Sequence, residues 1–188
     1  MSQKSRGDPL VNRNVTRSLV LLFAGATLGG ACLISQGPLP GDLALTRALQ
    51  GVLGSSPTWA EFVTSTAKAP VVWMTLLLAA GLGFLGGGAR GSAVPVLAFV
   101  GVRILDASLR ALVHAPKPSP ELIPVASAST ASGFPSTFGL VHGALFGGVL
   151  VVHALSSEAR RRGIRVLVIL ISVGLLVSGA VARIVLGG

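Results

Sequence analysis

The chain has 188 residues, 51% of them hydrophobic and only 11% charged, with a mean hydropathy of +0.78. A soluble domain carries roughly a quarter charged residues, so there is too little polar surface here for a water-exposed fold, and the composition points to an integral membrane protein. The formal charge of +9 does not indicate nucleic acid, because the basic residues stand at the ends of apolar segments and not on a polar face.

In chain order, residues 1–17 read as an N-terminal tail and 18–188 as one transmembrane helical domain. The first apolar segment, 18–35, lacks a clear cleavage site and reads as a retained span; Cys32 within it is expected to be a small buried side chain. Beyond QGPLPGD, residues 42–53 and 58–68 have helical character but too many polar groups to cross a bilayer. They are expected at the membrane interface, where Trp59 suits the headgroup region. Residues 69–89 carry no charge and predict a second span, Arg90 a tight turn, and 92–113 a third span. The Pro- and Ser-rich stretch 114–136 reads as a loop, 137–155 as a fourth span, SSEARRRGIR as a turn, and 165–185 as a fifth. The expectation is an all-α polytopic bundle of five spans, each near the length a bilayer needs, with short interfacial helices between the first two.

Basic residues test that order. With five alternating spans, Lys4, Arg6, Arg13 and Arg17, Arg90, and Arg160, Arg161, Arg162 and Arg165 share one side. Positive charge is retained on the cytoplasmic side, so the N-terminus is expected there and the 114–136 loop on the outer side.

Some charges are not explained by orientation. Arg103 and Asp106 fall inside the third apolar segment, three residues apart on one helical face, and charges at that depth are costly and point into a bundle or cavity. They read as a structural intramembrane pair. Arg110 and Lys117 lie toward the outer end and Arg183 near the outer end of the fifth segment, while GFPSTF opens an outer-side helix. Two readings stay open: scattered end-capping cations, or three cations meeting a helix N-terminus and a hydroxyl to make an anion site suited to phosphate.

In these positions the chain resembles the type 2 phosphatidic acid phosphatase family, helical membrane relatives of the vanadium haloperoxidases. That family carries Lys, six residues, Arg-Pro; then Pro-Ser-Gly-His; then Ser-Arg, five residues, His, three residues, Asp. R-ALVHAP-KP places Arg110 at the motif's Lys and Lys117 at its Arg, followed by Pro118. FPSTF places Pro135 and Ser136 on the second motif, with Thr137 where Gly is expected and Phe138 where His is expected. VARIVLGG places Ala182 at the third motif's Ser and Arg183 at its Arg; Gly188 falls just before the position of the family's nucleophilic His. The expectation is that the reading frame, or a neighbouring one, continues with a His and a sixth hydrophobic span.

The resemblance implies a phosphate cradle of Arg110, Lys117, Ser136, Thr137 and Arg183, with no metal and no cofactor. In the family the third-motif His attacks phosphorus and the second-motif His protonates the leaving oxygen; both are absent from these 188 residues. His142, one helical turn beyond Phe138 on the same face, and His114, between Arg110 and Lys117, are weak substitutes; a lone His in an apolar helix is more often a structural hydrogen-bonder. His153 is expected to be remote from the site. The resemblance implies hydrolysis of lipid phosphates or polyprenyl diphosphates at the outer leaflet of a bacterial plasma membrane. The alternative is a catalytically inactive relative serving as a structural or accessory subunit, in which the glycines of GLGFLGGG allow close packing with a partner helix. A small transporter lined by Arg103 and Asp106 is a weaker third reading. The expected partners are membrane lipids, including a lipid phosphate or diphosphate, and a helix-packing protein partner, and not nucleic acid.

Overall fold

Apolar residues recurring at every third or fourth position bury one stripe of each long helix and leave the remainder apolar but outward-facing, the pattern expected of helices surrounded by lipid. In the computed structural model the described residues are 41–112, 124, 135–155 and 162–187, with helical positions at 20, 23, 27, 30 and 34. They form an all-α bundle: α1 (Asp42–Leu53), α2 (Thr58–Ser65), α3 (Val71–Leu112), α4 (Thr137–Leu155) and α5 (Arg162–Val185). Three of them, α3, α4 and α5, are long and apolar enough to cross a membrane. The protein is thus a helical membrane protein.

The expectation of five spans is corrected to three candidate spanning helices among the described residues. Residues 69–89 and 92–113 fall in one 42-residue element, α3, in which two helical arms are joined through non-helical torsions at Gly87 (φ −150°) and Gly88 (φ +60°, ψ −145°), two residues before the Arg90 expected to mark the turn. Gly88 is the residue that permits a reversal without a loop, because its backbone geometry is open essentially to glycine alone. The non-helical torsions are confined to Gly87 and Gly88, so the connection between the two arms is very short. The arm before the bend rises only about 24 Å at 1.5 Å per residue, short of the roughly 30 Å hydrocarbon core. Most of the 18–35 segment lies outside the described residues.

The two arms of α3 lie side by side. Ser92 Oγ donates to the Ala80 carbonyl at 2.9 Å, Gly83 and Gly91 meet backbone to backbone, and Trp73 packs edge-on against Phe99 with ring centroids 6.0 Å apart. A side chain on either of that glycine pair would enter the opposite backbone, so the sequence GLGFLGGGARG is what lets the arms close.

Helix α4 is the centre of the bundle. Its Phe138, Val141, His142, Leu145, Phe146, Val149 and His153 are all buried and pack against both α3 and α5. At the bend of α3, His153 Nε2 lies 3.0 Å from the Leu82 carbonyl, and its ring rests on Gly86, where a Cβ would come within 2.8 Å of it. At the other end, α1 and α2 lie on the C-terminal end of α5. Ala60 packs against Ala182 and Leu186, and Gln50 Nε2 donates to the carbonyls of Val185 at 2.8 Å and Pro124 at 2.9 Å. α1 spans the expected 42–53: it opens at Asp42 after Gly41 and stops at Gly54, whose φ of +85° suits a helix stop; α2 begins at the expected Thr58 but ends at Ser65, short of the expected 68.

Candidate functional site

The end of the bundle that carries α1 and α2 also gathers the start of α4, the end of α5 and the last turns of α3. Its centre is Asp106. This carboxylate, with its side chain only 9% exposed, accepts from Arg110 Nε at 3.1 Å and from Thr137 Oγ1 at 3.0 and 3.2 Å. Arg110 Nη2 in turn donates to Thr137 Oγ1 at 2.6 Å and to the Pro135 carbonyl at 2.9 Å. One guanidinium therefore bridges a carboxylate on its own helix, at the favourable i, i+4 spacing, to the backbone and hydroxyl that open α4. Only arginine can do this. A lysine ammonium is one point of charge, whereas the guanidinium holds several donors in a fixed plane, which gives a structural reason for arginine at position 110.

The start of α4 is a local product of FPSTFG. Ser136 is the helix cap: its Oγ accepts the Gly139 N–H at 3.3 Å, satisfying one donor of the first turn. Among the described residues its own hydroxyl proton has no acceptor. Phe138 is buried against Gly179 of α5, where an added Cβ would lie 2.6 Å from the ring. Arg183 is one helical turn beyond Gly179 on the same face, which carries it toward the level of Ser136 and Thr137. Its Nε is buried and has no hydrogen-bond partner among the described residues.

The structure therefore brings Arg110, Ser136, Thr137 and Arg183 to one end of the bundle. Lys117 and His114 lie outside the described residues. The pair expected between Arg103 and Asp106 is present but loose, at 3.9 Å with the Arg103 side chain 54% exposed; the close partners of Asp106 are Arg110 and Thr137.

His142 is placed deeper. Its ring stacks on Phe138 with centroids 4.0 Å apart and tilts against Phe146 at 5.4 Å. Nε2 is 3.1 Å from Thr66 Oγ1. Thr66 gives its single proton to the Val63 carbonyl at 2.6 Å, a group that can only accept, so Nε2 carries the hydrogen and donates to the threonine. Nδ1 is left as a buried acceptor with no partner among the described residues. The Phe138 ring stands over the face of His142 nearer the start of α4. His153 is at the opposite end, beside the α3 bend.

Sequence reasoning missed two partners. Thr66 was unremarkable in a polar stretch, and nothing local tied it to a histidine 76 positions later. Gln50 gave no signal either, and the sequence paired Asp106 with Arg103 at i−3, whereas its close ionic partner is Arg110 at i+4.

Compared with models of protein families, with curated proteins and with solved structures, the chain matches none.

Proposed function

We propose that the protein is a phosphatase-like membrane protein that holds a lipid phosphate or diphosphate at the end of the bundle where α4 begins. The observation that carries this reading is Arg183: a cation whose Nε is buried without a partner among the described residues, one turn beyond the Gly179–Phe138 contact and so at the same end of the bundle as the capped start of α4. Helix starts attract anions through their N–H groups and dipole. The Ser136 proton and the Arg183 guanidinium would be the donors to phosphate oxygens, with Arg110 held in place by Asp106. These are the positions at which the chain resembles the type 2 phosphatidic acid phosphatases. Exposed Arg90 and Arg162 lie at the opposite end, and the positive-inside rule supports reading the site as an outer-side one.

A second reading, a non-catalytic relative that binds without turnover, is favoured by one specific observation: Phe138 occupies the position of the proton donor and is stacked on His142. Purified protein distinguishes the two. Wild type is expected to bind vanadate or a lipid phosphate, and Arg183→Ala to lose about tenfold or more in affinity, the scale of a charged hydrogen bond. Phosphate release from lipid phosphates above the Arg183→Ala level supports hydrolysis; binding without release supports the second reading. Equal binding by the two proteins sinks both.

A further inference from the structure

Arg103 is used by neither the cluster nor the proposed anion site. The charges on the last turns of α3 comprise two arginines, 103 and 110, against one carboxylate, Asp106. That carboxylate is committed: Arg110 and Thr137 hold it at hydrogen-bond distance, while Arg103 Nη1 stands off at 3.9 Å with most of its side chain outside the bundle. Its surroundings on the outer face are apolar. Val100, one turn before it, and Ile104, beside it, are exposed, as is Leu97 further down the same arm. An under-compensated cation on a lipid-facing surface is costly unless it reaches the headgroup layer or meets an anion there.

The depth of Arg103 fits the second alternative. Trp73, on the other arm of α3, is exposed and packs against Phe99 at 6.0 Å, and exposed tryptophans mark the membrane–water boundary. Arg103 is one turn beyond Phe99 toward the cluster end. Measured along the helix it stands about 22 Å from Gly88 at the bend, inside a hydrocarbon core of roughly 30 Å but within the reach of a long side chain extended toward the headgroup layer at the cluster end.

We propose that Arg103, with Leu97, Val100 and Ile104 beneath it, forms a phospholipid site on the lipid-facing side of α3: the guanidinium pairs with the lipid phosphate and the acyl chain lies along the apolar strip. The guanidinium fork suits two phosphate oxygens at once, and the strip directly below supplies what a free phosphate ion would not use. This surface site is independent of the anion reading at Arg183.

The test uses the full chain in neutral maltoside micelles, with thermal unfolding followed as phosphatidylglycerol is added. Diacylglycerol of the same chains and inorganic phosphate serve as separate additions. Phosphatidylglycerol is expected to raise the unfolding temperature of wild type and of Arg183→Gln alike. The concentration needed should rise about tenfold in Arg103→Gln. Arg103→Lys, which keeps the charge but not the fork and guards against a folding defect in the glutamine variant, should fall between. Diacylglycerol and inorganic phosphate should each give a smaller shift than the intact phospholipid. The proposal is overturned if Arg103→Gln and Arg103→Lys respond as wild type does, if diacylglycerol or inorganic phosphate matches phosphatidylglycerol, or if the response disappears only in Arg183→Gln.

Discussion

His142 shows how a single side chain in an apolar helix is settled by its neighbours. Four residues after Phe138, it has the register of a group that faces the start of α4, yet its donor is spent on Thr66 and its ring is sandwiched by Phe138 and Phe146. It is a packing residue with one satisfied nitrogen. Thr66→Val leaves the Nε2 hydrogen without an acceptor in a dry site and is expected to destabilise by about 1–3 kcal/mol. Thr66→Val combined with His142→Phe keeps the stack and removes the orphan. The double variant should be more stable than the sum of the two single losses predicts, by about 0.5 kcal/mol or more, in a denaturation cycle. Strict additivity would mean that the contact contributes nothing. Asp106 teaches the converse: its spacing offers Arg103 at i−3 and Arg110 at i+4, and the tie is broken by Thr137, a residue 31 positions away that only Arg110 also reaches.

Among the elements, α3 depends on its glycines in a position-specific way. A Cβ at Gly83 meets the backbone of Gly91, which cannot rotate away, and a Cβ at Gly86 comes within 2.8 Å of the His153 ring; at Gly81 nothing lies within 4 Å. Gly83→Ala and Gly86→Ala are therefore expected to lower stability by about 1–3 kcal/mol, the cost of overpacking. Gly81→Ala should be neutral or stabilising by up to about 1 kcal/mol, because alanine is the better helix former. Thermal unfolding of the three variants under one condition checks this; equal losses at all three would mean that the arms do not pack as described. The turn falls close to where the sequence puts it. Arg90 looks like the punctuation, but the reversal is made two residues earlier by the conformation of Gly88, which charge does not report.

At the scale of the molecule, the bundle has two unlike ends. One carries the α3 bend, exposed Arg90 and the start of α5; the other carries α1, α2, the Asp106–Arg110–Thr137 cluster and Arg183. In a membrane these ends should face opposite aqueous phases. In a Cys32→Ser background, Arg90→Cys and Glu61→Cys, both at exposed positions, are expected to react with an impermeant thiol reagent from opposite sides. Position 61 should react in intact cells and position 90 only after permeabilisation. Labelling of both from one side would contradict the two-ended arrangement.

Much of this was legible in the sequence, for physical reasons. Membrane character follows from composition, since hydropathy sums over residues without reference to their partners. The bounds of α1 and α4 follow from local chemistry: Gly54 stops the first, and Ser136 caps the second. Arg110, Ser136, Thr137 and Arg183 could be singled out because ionic and capping side chains are rare in such a chain. Tertiary structure decided what those residues touch. It gave Asp106 to Arg110 and Thr137, gave His142 to Thr66, left Arg183 Nε buried without a partner among the described residues, and set the turn between the two arms of α3 at Gly88 rather than at Arg90. Each of these depends on contacts between segments distant in the chain, or on a single backbone torsion, and neither is encoded in hydropathy or spacing.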